Sequence, residues 1–397
     1  MDVNIIPFFS PISPEGVGEE IRQVLARSGA NVVEPDDYQK GSNHDYLFIG
    51  TGGTENLVAS FLDKATLNHP ITILSYDLRN SHPAAMEIRS YLERRNIKSR
   101  IIHATLDELV EMIGDWFQFA KHLSVIDGST MGLIGEPSSW LIASSVDPNT
   151  VKKKWGMSLK YLSLDPLIEA ADSSGKYDHI EVFKREATGC SPSDEELHKA
   201  GSVAESLKGI MKDENLDVVT VQCFKLLMDT KVSGCYALNF LNNDKELVAG
   251  CEGDVPATFT MFLGKLLTGG PGFMSNVTQV DQKTNSAVFA HCTLPTSIAE
   301  SYQVTTHFET GLSIGIRGTF ETQDVTVFKV FGDSLTDYWV SDGRIVENLV
   351  NATGCRTQIR VELDEDVNYF LERAYANHHI VFPGKHADKI RRFFEFL

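Results

Sequence analysis

Four short runs gather the side chains of this sequence that can do chemistry. They are Cys251–Asp254 (CEGD), Gly272–Asn276 (GFMSN), Ala290–Cys292 (AHC) and Asn377–His379 (NHH). Each places acid, imidazole or amide groups at a turn or a strand end. A glutamate with two histidines suits a divalent cation such as Mn, Co, Fe or Zn, whose sites mix oxygen and nitrogen donors. Cys251 and Cys292 flank these ligand types and read as small packing residues. Two further runs follow strands, where parallel sheets place ligand contacts. Thr51–Asn56 (TGGTEN) has two glycines that would let the backbone approach an anion at a helix N-terminus. It matches neither GxGxxG nor GxxxxGK[ST], so a nucleotide fingerprint is absent and a tight strand-to-helix turn is the simpler reading. Gly135–Trp140 (GEPSSW) offers Glu136 and Trp140, the latter able to stack on a sugar face. Asp333, Asp337, Tyr338 and Trp339 (GDSLTDYW) form a polar–aromatic loop that could line a sugar pocket. His307 and Arg317 fall in strands and read as structural.

The segment AGCEGDVPATFTMFLGKLLTGGPGFMSNVTQVDQKTNSAVFAHCTLPTSI, from Ala249 to Ile298, and HHIVF, His378–Phe382, resemble the metal-binding region of the L-arabinose and L-fucose isomerase family. Arabinose isomerases carry a Gly-Glu-Gly-Asp run, a Phe-Met-acid turn, a Gly-x-His strand leading to Pro-Ser-Ile, and a His-His-x-Val-Phe run in the same order. Gly132–Gly156 also resembles the second domain of fucose-isomerase-like proteins. The resemblance implies aldose–ketose isomerisation through an enediol. It assigns Glu252 as metal ligand and acid/base, His291 and His379 as metal ligands, and Mn²⁺ as the metal. Asn276, His378, Glu136, Trp140 and Trp339 are then the expected substrate contacts, with Asn276 also near the chemistry. The sequence departs from the family at the second carboxylate, where Ser275 and Asn276 stand instead. An amide can ligate a metal but cannot take a proton, and losing a general base typically costs about 10²–10⁴ in rate. Asp254 and Asp281 lie nearby without aligning to the lost residue. A sugar-binding or regulatory role is therefore the rival expectation.

To position these residues the resemblance implies a fold of two N-terminal doubly wound α/β units and a β-rich C-terminal domain, with boundaries expected at 1–122, 123–235 and 236–397, and the strand–helix pattern is compatible with it. In the first unit, apolar runs Asn4–Phe9, Asp45–Gly50, Ile71–Tyr76 and Ser99–His103 read as strands. They alternate with helical spacing over Pro14–Ser28, Thr54–Asp63, Ala84–Arg94 and Leu106–Phe119. Such alternation implies a parallel, helix-covered sheet. In the second unit, Met131–Ile134, Tyr161–Leu164 and Val218–Cys223 read as strands. Helices are expected over Asn149–Trp155 with Asp147 as cap, over Pro166–Ala171, and from Ser191 or Ser193 to Met211. The C-terminal third turns to short strands: Ser275–Asp281, Ser286–His291, Gln303–Phe308, Gly311–Thr319 and Val325–Phe331. An antiparallel sheet or barrel closed by a helix over Ala387–Phe396 is expected there.

The 397 residues allow two or three domains at roughly 150 residues each. A net charge of −18, from 36 basic and 54 acidic residues, argues against nucleic acid and anionic lipid as partners. No apolar stretch is long enough to span a bilayer, and the N-terminus lacks the basic and apolar regions of a signal peptide. Six cysteines without a CxxC make a disulfide scaffold or structural zinc site improbable. A cytoplasmic protein acting on a small sugar is expected, and the resemblance adds a homo-oligomer, trimer or hexamer.

Overall fold

A computed structural model of the chain describes residues 2–39, 44–67 and 70–397. Two compact units divide it, Met1–Val125 with Phe396 and Ile126–Glu395 with Leu397.

The first unit runs β1 (Val3–Phe8), α1 (Val17–Ala26), β2 (Asn31–Val32), β3 (His44–Ile49), α2 (Glu55–Leu62), β4 (Ile71–Tyr76), α3 (Ser81–Arg94), β5 (Ser99–Ala104) and α4 (Leu106–Ile126). Its sheet is wholly parallel, in the order β2-β1-β3-β4-β5. Every residue of β4 is buried, as expected of a strand covered on both faces. The helical spacing of Val17, Ile21 and Leu25 becomes the buried stripe of α1. TGGTEN is the turn from β3 into α2. Its polar groups are used within the unit: Ser10 N–H donates to Thr51 Oγ1 at 2.8 Å, and Thr54 Oγ1 donates to the Thr51 carbonyl at 3.0 Å.

The second unit continues with β6 (Thr130–Ile134), α5 (Pro148–Trp155), β7 (Ser158–Leu162), α6 (Asp165–Ala171), α7 (Asp178–Glu186) and α8 (Asp194–Asp213). Next come β8 (Val218–Val221), α9 (Cys223–Thr230), α10 (Cys235–Asn242), β9 (Val248–Cys251) and α11 (Val255–Thr268). Asp147 caps α5, and Ser193 rather than Ser191 caps α8 through a reciprocal capping box with Glu196. The strands form a second parallel sheet, β7-β6-β8-β9. Because β9 completes that sheet, the boundary expected at residue 236 cuts through it, and sheet and barrel belong to one unit.

The rest of the chain gives β10 (Phe273–Asp281), β11 (Ser286–His291), β12 (Ser301–Thr305), β13 (Gly315–Thr319), β14 (Asp324–Phe331) and β15 (Asp337–Asn348). It ends with β16 (Thr357–Leu363), α12 (Tyr369–Glu372), β17 (His378–Pro383) and α13 (Ala387–Phe396). Six strands close an antiparallel barrel in the order β10-β11-β16-β15-β14-β17, while β12 and β13 pair separately. GDSLTDYW is not one loop, since Asp337–Trp339 opens β15. The strands expected over 303–308 and 311–319 are shorter than read, which leaves His307 in the loop between β12 and β13. Among the described residues, no helix is long and apolar enough to cross a membrane.

Candidate active site

The carboxyl ends of β6, β8 and β9 meet at one edge of the second sheet, the place where open α/β sheets bind ligands. Glu252 follows β9 directly and adopts φ 64°, with Gly253 next at φ 71°. Two successive left-handed residues form a sharp turn, and the glutamate's share costs of order 1–3 kcal/mol. The GEPSSW loop after β6 clamps that turn. Ser138 N–H donates to the Glu252 carbonyl at 2.8 Å. A side chain at residue 253 would stand 2.6 Å from Pro137 Cα and 3.0 Å from the Glu136 carbonyl, so glycine is required there. Trp140 Nε1–H donates to Glu252 Oε2 at 2.7 Å, fixing the carboxylate. Thus GEPSSW acts mainly through its backbone and one indole. The Glu136 side chain is exposed and does not face the site.

Register in the barrel decides which histidine of the NHH run joins Glu252. In β17, Asn276 pairs with His378 and Ser275 with His379, so alternation sends the two imidazoles to opposite faces. His378 Nδ1–H donates to Asp254 Oδ2 at 2.9 Å, and its Nε2 lies 3.5 Å from Glu252 Oε1. That Nε2 is buried and has no hydrogen-bond partner. His379, expected as the metal ligand, instead has both ring nitrogens occupied. Nδ1–H donates to the Asn377 carbonyl at 3.1 Å, and Nε2 accepts from the Tyr369 hydroxyl at 2.9 Å. No lone pair remains for a metal, which corrects the expectation in favour of its neighbour. Trp339 is also corrected. It stacks on Tyr369 at 4.1 Å and meets His379 edge-on, within that packed aromatic cluster and not at the cavity.

Asp254 does two jobs. Its Oδ1 caps α11 by accepting from Ala257 N–H at 2.9 Å, while Oδ2 holds His378. It is fully buried, so it cannot stand in for the missing carboxylate at the substrate. Asp281 caps the turn after β10, accepting from Lys283 N–H, and lines no part of the cavity. His291, at the end of β11, brings Nε2 to 3.9 Å from Glu252 Oε1. Burial alone would raise the Glu252 carboxyl, but His291 and His378 outweigh it and hold it well below the usual carboxylate range. Burial likewise opposes charge on His378, yet Asp254 and Glu252 outweigh it and push it up to about 9. Burial pushes His379 down to about 3, so it is neutral.

Glu252 and His291 line a cavity of about 560 Å³, with Trp140, Phe224 and Leu227 on apolar walls and Asn276, Thr278 and Asn377 on the barrel side. Asn377 Nδ2 donates to Asn276 Oδ1 at 2.5 Å, orienting both amides. His307 and Glu309 also reach the cavity. Sequence reading passed over Glu309, an ordinary acid in a turn, and set His307 aside as structural. Burial, reinforced by His291, lowers His307 to about 4, leaving a neutral imidazole. Cys223, Cys235, Cys251, Cys292 and Cys355 complete the wall.

By donor type, a carboxylate beside imidazoles suits a divalent transition metal, and Cys251, Glu252 and His291 each bring one ligand atom within 4.8 Å of the others. Donor atoms that share one ion at about 2.1 Å stand roughly 3–3.5 Å apart; His378 Nε2 lies 3.5 Å and His291 Nε2 3.9 Å from Glu252 Oε1. Binding an ion through His378 Nε2 would displace the proton held there, and the carboxylate on its far nitrogen is the usual orienting partner of a metal-binding histidine. Ligation by His291 through Nε2 would move its proton to Nδ1 and release the long 3.3 Å bond from Thr293 N–H. Cys251 also brings its thiol within 4.8 Å of Glu252 and His291 ligand atoms.

No family model matches the chain. Among curated proteins it is similar to sulfoquinovose isomerase of Priestia megaterium, 23% identical over 175 residues, 43% of this chain and 39% of that protein. It is also similar to sulfoquinovose isomerase of Alkalicoccus urumqiensis, 20% identical over 187 residues, 46% of this chain and 42% of that protein. The chain spans about two fifths of the length of the curated relatives it matches.

Proposed function

We propose that this protein is a sugar isomerase of the aldose–ketose type, working with a divalent transition metal, Mn²⁺ first among the candidates, held by Glu252, His291 and His378. The observation that carries the reading is the approach of His378 Nε2 and His291 Nε2 to Glu252 Oε1, at 3.5 and 3.9 Å, with Glu252 and His291 on the wall of a sugar-sized cavity. The likeness to sulfoquinovose isomerases supports the reaction class. When bound, such an ion polarises a carbonyl and its neighbouring hydroxyl, easing removal of the proton between them. The chain's own residues supply the rest. Trp140 holds one oxygen of Glu252, and Asp254 keeps the His378 proton on Nδ1. Asn276, Asn377 and Thr278 offer hydrogen bonds to sugar hydroxyls, while Trp140, Phe224 and Leu227 cover its apolar face.

The test titrates chelator-stripped protein with Mn²⁺ by calorimetry, beside Glu252→Gln, and then screens aldoses in deuterated water. The panel includes sulfoquinovose and neutral aldoses. Saturable Mn²⁺ binding that Glu252→Gln destroys, with deuterium entering C2 of one sugar, is the expected result. Sugar binding with no exchange for any aldose would instead mark a binding or regulatory protein, the reading favoured by Asn276 standing where a carboxylate is expected.

A further inference from the structure

Proton transfer between C1 and C2 needs a carboxylate or imidazole free to pick up and return a proton at the sugar. Glu252 is poorly placed to do so alone. Its Oε2 accepts from Trp140 at 2.7 Å, and its Oε1 faces His378 and His291 at 3.5 and 3.9 Å. Asn276 cannot act, Asp254 is sealed behind His378, and Asp281 is elsewhere. The other carboxylate lining the cavity is Glu309.

Glu309 sits at the tip of the loop 306–314. It is exposed to the cavity, and no hydrogen bond or ion pair among the described residues engages it. The loop is nonetheless held firmly. Gly311 N–H donates to the His307 carbonyl at 2.9 Å, and His307 N–H to the Leu312 carbonyl at 2.9 Å. Arg356 clamps its base, Nε–H to the Thr306 carbonyl at 2.7 Å and Nη2–H to Thr306 Oγ1 at 3.1 Å. A free carboxylate on a braced loop is what a general base requires, since it must be positioned without being neutralised. Glu309 lines the same cavity as Glu252 and His291.

We propose that Glu309 is the general base of the isomerisation, carrying from a different loop the proton transfer that Asn276 cannot perform. The inference rests on the sugar isomerase reading above. In the step, the C2–H bond breaks and its proton passes to the Glu309 carboxylate. The C–H electrons form the C1=C2 bond of the enediolate, and the former carbonyl electrons move onto O1. The O2 hydroxyl proton then moves to O1, O2 becomes the carbonyl, and the C1=C2 electrons take the proton back from Glu309 at C1. No oxidant or co-reactant is consumed.

Deuterium exchange at C2 of the sugar that the wild-type protein accepts tests this in Glu309→Gln and Glu309→Ala, with Mn²⁺ binding measured in parallel. The expected result is a fall in exchange of about 10²–10⁴ with Mn²⁺ affinity unchanged. Exchange by Glu309→Ala should recover on adding formate or acetate, which a merely structural role would not allow. Undiminished exchange in Glu309→Gln, or a loss that no small carboxylate restores, would overturn the assignment to Glu309 alone. Absence of exchange by the wild-type protein with every aldose would overturn the isomerase reading and this inference with it.

Discussion

Removing the His378 imidazole from metal-free protein should change how stability depends on pH. His378 is fully buried between Asp254 and Glu252 and is pushed up from 6.5 to about 9. A raised histidine pKa stabilises the fold fully below the unfolded value and loses that contribution as pH rises through the folded one. From 6.5 to about 9, at roughly 1.4 kcal/mol for each pH unit, the contribution is about 3 kcal/mol. The depressed Glu252 carboxyl reports the same contacts, so it is not counted again. In His378→Gln the two buried carboxylates lose their cation, and breaking a buried pair from one side typically costs about 3–5 kcal/mol. Urea unfolding of chelator-treated protein, followed by tryptophan fluorescence at several pH values from 6 to 10, measures the gap between the two proteins. The gap should be about 3 kcal/mol near pH 6 and shrink steadily between about pH 6.5 and 9, with little further change above that. A gap that stays constant across this range would refute a charged His378 in the folded protein, and with it the account of how Asp254 and Glu252 hold that ring.

Four other outcomes follow from the same geometry. His379→Gln should leave Mn²⁺ affinity unchanged in calorimetry, since both His379 nitrogens are already bonded. It should also lessen the acid sensitivity of the fold, because a histidine lowered to about 3 loses stability for the native state as pH falls below 6.5. Trp140→Phe deletes a hydrogen bond to a charged carboxylate, of the kind worth about 1.5–3 kcal/mol, and should lower kcat/KM about tenfold or more with a small change in Tm. Gly253→Ala sets a methyl against the Pro137 backbone at 2.6 Å and at positive φ, so Mn²⁺ affinity should fall by about tenfold or more as Glu252 is displaced. Asp254→Asn keeps the shape but lets the ring of His378 turn over, and should likewise cost about 10–100-fold in Mn²⁺ affinity.

Local pattern revealed much of the fold and less of the site. The first unit was legible because its strands are continuous apolar runs flanked by helices with a clear buried stripe, as in ITILSY followed by Ala84, Ala85, Ile88 and Leu92. The barrel's later strands were obscure: β15 opens on Asp-Tyr-Trp and ends on Glu-Asn, a composition that reads as a loop until the neighbouring strands pair with it. Glu252 and His291, at the ends of strands, and Asn276, within β10, were found because they lie in a recognisable run. The choice between His378 and His379 depends on strand parity, and one residue of register exchanges the faces. Glu309 carries no local mark among 54 acids, and only its place on the cavity wall distinguishes it.

One consequence lies in the position of β17. That strand fills the last gap in the barrel, pairing with β10 on one side and β14 on the other, and its first residue is His378. Barrel closure and delivery of the final imidazole are therefore a single event during synthesis. A nascent chain that has emerged only through β16 has an open edge on both β10 and β14 and an incomplete donor set. It lacks one proposed donor and part of the barrel that walls the cavity, so β17 must emerge before the proposed site can assemble. Stalled or truncated products would then be recognisable in the cell as chains with two unpaired strand edges and without the proposed site, a state open to proteolysis.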